Sequence, residues 1–165
     1  MTSKMNFSEA EWKTILASPM FASTAVSMAD PNGIWGMIKE GMTSARALLD
    51  ARQDPSTNAL ILSVVAEIET SEGRESIREG LKAELTGKKP AEVKAQALTG
   101  LARANEILRA KAPGDATAFK SWLMHVAEKV AESTKEGSVL GFGGVAVSEA
   151  EKATLSEISR TLGVV

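Results

Sequence analysis

The chain has 165 residues, with 19 Lys and Arg against 21 Asp and Glu for a net charge of −2. It is long enough to bury a substantial single core, and it lacks the positive excess that phosphate backbones demand, so a nucleic-acid partner is not expected. There is no cysteine and only one histidine, which excludes disulfides, thiolate metal sites, cysteine nucleophiles and any site needing two histidine ligands from one copy of the chain.

The first residues run from Met1 to Phe7 straight into Ser8 and Glu9, leaving no apolar stretch for a secretory signal, so the expectation is a cytoplasmic protein. The longest early run without charge, residues 15–29, contains Pro19 and several Ser and Thr. It is shorter than the ~20 apolar residues a membrane span requires, and none is predicted.

Ser8 and Glu11 have capping-box spacing and predict a helix carrying Trp12, Ile15 and Leu16 that stops or bends before Pro19. Ser18 then caps a second helix with Phe21, Ala22, Ala25, Val26 and Ala29 along a stripe, ending at the turn Asp30-Pro31-Asn32-Gly33. Ile34, Met37, Ile38, Met42, Ala45, Leu48 and Leu49 predict a third helix over 34–52. Asp54-Pro55 reads as a cap with proline at the first helical position. Leu60, Ile61, Val64, Val65 and Ile68 then form the most continuous apolar stretch, the predicted central helix.

A more polar surface helix follows from Ser71, with Ile77, Leu81 and Leu85 on one face and Gly87 closing it. Pro90 opens a long helix with Val93, Ala97, Leu98, Leu101, Ile107 and Leu108 in its stripe, ended by Pro113-Gly114. Asp115 caps the next, whose wide apolar face is Phe119, Trp122, Leu123, Val126 and Val130. The glycine-rich segment 137–147 is the one long loop. Ser148 and Glu151 repeat the capping box for a last helix ending at Gly163.

Three features carry candidate chemistry. His125, Glu128, Glu132 and Glu136 share a helical face that suits a hard cation, against the competing reading of a solvated stripe balanced by Lys129 and Lys135. Di-iron bundles use Glu-x-x-His twice, whereas here the order is reversed and occurs once. The turn at Asp30 followed by Glu40 fails the calcium-loop spacing. Counting from Asp30, glycine falls fourth and glutamate eleventh, so Asp30 and Asn32 read rather as residues that satisfy backbone amides in the turn. Gly141-Phe142-Gly143-Gly144 offers backbone amides to an anion but lacks a P-loop ending or a preceding strand, which favours a surface lid or an apolar docking loop. No Gly-x-Ser-x-Gly elbow occurs and His125 has no identifiable serine partner, so an enzyme is not expected.

The run from Trp122 to Ser133, with Val147-Ser148-Glu149-Ala150-Glu151 and residues 155–163, is similar to the helical tellurite-resistance TerB-like family. That family joins a small-residue helix and an acidic Asp-Gly turn to a Val-Ser-x-x-Glu helix start, and Ala29-Asp30-Pro31-Asn32-Gly33 resembles a second, looser copy. In this chain Glu136-Gly137 stands where Asp-Gly belongs, and the glycine-rich loop separates it from Val147. The resemblance implies a stress-associated helical protein that holds a divalent cation, Ca²⁺, Mg²⁺ or Mn²⁺, at Asp30, Glu40, Glu136 and Glu151.

The whole chain, 1–165, is thus expected to form one all-α domain, a compact array of seven or eight helices with two loosely similar halves. A non-enzymatic cation-binding protein is the first functional expectation. The alternative is a structural or protein-interaction module, or a homodimer, that uses Val139, Leu140 and Phe142 of the 137–147 loop.

Overall fold

The computed structural model describes residues 3–29, 48, 50–54, 57–133 and 147–164. A 3-10 turn at Lys4–Asn6 precedes α1 (Glu9–Ser27), α2 (Ala59–Ile68), α3 (Ser71–Leu85), α4 (Pro90–Lys111), α5 (Pro113–Ser133) and α6 (Glu149–Leu162). The array is all-α, with no strand among the described residues. Residues 48 and 50–53 are helical as well, and they form the end of the helix expected over 34–52. The rest of that helix, with the Asp30 turn, lies outside the described residues. No described helix is long and apolar enough to cross a membrane.

Two expected helices are one. The Ser8 hydroxyl accepts from the Glu11 amide at 3.2 Å, and the Glu11 carboxylate accepts from the Ser8 amide at 2.7 Å, which starts α1 as the capping box predicts. The helix does not stop at Pro19 but continues through it to Ser27. Proline lacks the N–H that would bond the carbonyl four residues back. Here the Ser18 hydroxyl donates to that orphaned Ile15 carbonyl at 2.7 Å. Ser18, expected to be a cap, instead repairs the helix interior. Ser23 then donates to the Pro19 carbonyl at 3.0 Å and Ser27 to that of Ser23 at 2.8 Å. Each of these buried hydroxyls has an acceptor within its own helix.

The continuous α1 is buried on nearly all sides, with Ile15, Leu16, Ala17, Ser18 and Pro19 consecutive in the interior. It contacts each of the helices α2 to α6, so among the described residues α1 holds the centre that the sequence assigns to the helix at Leu60. That helix, α2, spans only ten residues. Its cap is Asn58, whose side chain accepts from the Ile61 amide at 2.9 Å, and not Asp54.

The α1–α4 contact depends on Gly100. A Cβ there would stand 2.6 Å from the Phe21 ring, so only glycine lets the ring lie flat against the α4 backbone. The buried stripe of α4 is accordingly Ala97, Gly100, Leu101, Ala104 and Leu108. Val93, Leu98 and Ile107 are half-buried at its edges, because the bulky side of this interface belongs to α1. Only Ala112 separates α4 from α5, which begins at Pro113 itself. The Pro-Gly pair ends one helix by opening the next, and Asp115 sits in the first turn of α5 instead of capping it. Phe119 and Trp122 of α5 meet edge to face at 5.2 Å, and α2, α5 and α6 complete the layers around α1.

Ser18→Ala leaves the buried Ile15 carbonyl unpaired and should lower unfolding stability by about 1–3 kcal/mol in urea titration. Gly100→Ala forces a methyl group into the Phe21 ring and should cost about 1–3 kcal/mol by the same measurement; an unchanged midpoint would show that the ring has room to move.

Candidate functional site

Of the four expected cation ligands, Asp30, Glu40 and Glu136 lie outside the described residues, as do residues 137–146 of the glycine-rich loop. Glu151 is described and is 3% exposed. Its carboxylate accepts from the Ser148 amide at 2.8 Å while the Ser148 hydroxyl accepts from the Glu151 amide at 3.2 Å. This is the capping box that the Ser-x-x-Glu spacing predicts, and it commits the carboxylate to the N-terminus of α6.

His125, Glu128 and Glu132 are exposed along α5. Glu132 lies 3.7 Å from Lys129, the arrangement of a solvated, charge-balanced face. Among the described residues no group of three or more His, Cys, Asp or Glu side chains is placed to hold a metal ion.

The same C-terminal region builds a different feature. Gly163 adopts φ +64° and closes α6 with two bonds, Gly163 amide to Arg160 carbonyl at 3.1 Å and Val164 amide to Ser159 carbonyl at 3.0 Å. This paired termination requires a left-handed residue, which glycine supplies without strain, and it turns the chain back along the helix. The Ser159 hydroxyl donates to the Val164 carbonyl and fixes the reversal. Val164 therefore stands beside Leu155, and with Met124 of α5 these residues wall a shallow groove of about 420 Å³ rimmed by Ser156, Ser159 and Arg160.

The groove sits on a secured base. Asn105 of α4 donates to the Thr161 carbonyl at 3.1 Å, and Lys94 pairs with Glu157 at 3.1 Å, so α6 is tied to α4 on the side away from the groove. Arg160 and Glu128 are both exposed, and neither forms an ion pair within the described residues. Glu128 follows Met124 by four positions and so shares its helical face. The groove thus carries an apolar floor with Arg160 on its rim and Glu128 one turn beyond Met124, neither in an ion pair among the described residues. The sequence hints at it only through the helix stop at Gly163; the apposition of Met124 with Leu155 has no local signal.

No family model, curated protein or solved structure matches this chain.

Glu151→Ala should lower stability by about 1–2 kcal/mol through loss of the cap, equally in chelator and in excess divalent cation. A loss confined to the cation-containing samples would assign the carboxylate to ligation instead.

Proposed function

We propose that the protein is a non-enzymatic helical interaction module of the cytoplasm that works as a homodimer joined through the α5–α6 groove. The observation that carries this reading is the groove itself. Met124, Leu155 and Val164 form a half-buried apolar floor beside Arg160 and Glu128, whose charges have no partner within the described residues. A two-fold interface repeats one patch on both partners, so an unpaired base and an unpaired acid on the same patch can satisfy each other across the axis. With a net charge of −2, two copies meet little overall repulsion. Arginine at the edge of an apolar patch is also a side chain that interfaces favour.

The TerB-like reading makes a different demand. It assigns a divalent cation to Asp30, Glu40 and Glu136 together with Glu151, and it requires a saturable rise in unfolding temperature with Ca²⁺, Mg²⁺ or Mn²⁺ that Asp30→Ala or Glu136→Ala removes.

Sedimentation equilibrium is the direct test of the dimer. The wild-type chain should show concentration-dependent dimerisation, which Leu155→Asp abolishes and Arg160→Glu weakens about tenfold. Combining Arg160→Glu with Glu128→Arg should restore most of the affinity. A wild-type chain that stays monomeric across the accessible concentrations would overturn the proposal.

A further inference from the structure

The third helix is attached to the body unlike any other. Of its fifteen residues only Gly73 and Ile77 are buried, whereas α5 buries eight of twenty-one. Beside the buried Ile77 its packing against α1 is incomplete. A cleft of about 190 Å³ separates the two helices, with Ala17 and Phe21 on the α1 side and Ser76 and Gly80 on the α3 side. Small-molecule sites commonly occupy about 300–1,000 Å³, so the space is less than a usual ligand pocket. Gly80 is exposed, and a Cβ there would meet nothing within 4 Å.

Ile77 seats α3 in the core with Leu81 packed against the same cluster, and the polar ties of the helix lie at its two ends. At the N-terminal end Thr70 donates to the Glu67 carbonyl at 2.8 Å and accepts from the Gly73 amide at 2.9 Å, making a short turn out of α2. Arg74 adds a bond to the Glu69 carbonyl at 2.6 Å. At the other end a single carboxylate, Glu84, accepts from Gln96 at 3.0 Å and from Arg103 at 3.3 Å, both on α4. Between them Glu79 faces Lys13 of α1, whose ammonium is held in its charged form chiefly by Glu9 and to a lesser degree by Glu79. Beyond the latch the chain reverses through Gly87 at φ +77° before α4 begins.

We infer that α3 is a flap, hinged at Thr70 and latched at Glu84, that opens from the α1–α4 face as one unit while the rest of the array stays folded. Local opening follows where few apolar contacts are buried, and α3 combines that with a cleft beneath it and a latch on solvent-accessible side chains. Opening uncovers Ala17 and the ring of Phe21 on α1, together with the flap's own Ile77. Because the latch residues are partly exposed, each polar bond adds only modestly to closure. The flap is therefore poised, and the Glu84 carboxylate is one of several modest contributions to its closure.

Native-state hydrogen exchange read by mass spectrometry on the full chain tests this. Amides in residues 71–85 should exchange together, at least tenfold faster than those of α4 and α5. Arg103→Ala lies on α4, yet it should speed exchange in 71–85 by two- to fivefold and leave the amides of α4 unchanged. Gly80→Ala favours the helix, and it should slow exchange in 71–85 by a similar factor. The inference is overturned if residues 71–85 exchange at the rates of α4 and α5, or if Arg103→Ala speeds all helices alike. It is overturned equally if only the ends of α3 exchange rapidly, since that is fraying and not release of the whole helix.

Discussion

The hydroxyl of Ser18 lies 2.7 Å from the carbonyl of Ile15, and the architecture depends on that bond. Pro19 removes the amide that would reach Ile15, and an unpaired carbonyl in the interior would cost about 1–3 kcal/mol. With the bond made, α1 crosses the proline as one helix of nineteen residues. Its small and apolar side chains are then presented on nearly all sides, and α2 to α6 pack against it. Buried polar groups must be paired, and each of these serines donates to a carbonyl of α1 itself.

Around this axis, apolar packing and polar ties are divided unevenly. The α4 and α5 helices meet α1 through wide buried faces, and the close approach at Gly100 admits the Phe21 ring. The core accepts some polar cost in return for ring burial. The indole N–H groups of Trp12 and Trp122 and the Asn105 Oδ1 are buried without a hydrogen-bond partner among the described residues. Trp12 instead packs beside Phe7 at 5.7 Å, with the Lys4 ammonium 5.9 Å above its ring, and large aromatic burial offsets an unmade bond. The outer helices rely more on polar ties: α6 through Asn105 and Lys94, α3 through Thr70 and Glu84.

This division separates the groove from the flap. The α5–α6 groove lies on an element held firmly to α4, as a recognition surface requires if its geometry is to be kept before the partner arrives. The α3 flap lies where attachment is weakest, and changes there need not disturb the groove. The acidic residues that first suggest cation binding have mixed placements. Glu151 caps a helix, Glu132 pairs with Lys129, and Asp30, Glu40 and Glu136 lie outside the described residues.

The helical class, the capping boxes at Ser8 and Ser148, the opening of α4 at Pro90 and the stop at Gly163 were all legible in the sequence. Each is decided within one turn of chain, by a side chain that reaches its own backbone or by a residue whose φ is restricted or free. Other features were decided by distant residues. The same Ser18-Pro19 pair can begin a helix or continue one, and burial against five neighbours selects continuation. Pro113 could end α4 or start α5, and it starts α5 after a single intervening residue. The apposition of Met124 with Leu155, the fit of Phe21 over Gly100 and the latch from Glu84 to α4 join residues far apart in sequence. Local periodicity sets which face of a helix is apolar, but only the packed array decides which face meets which.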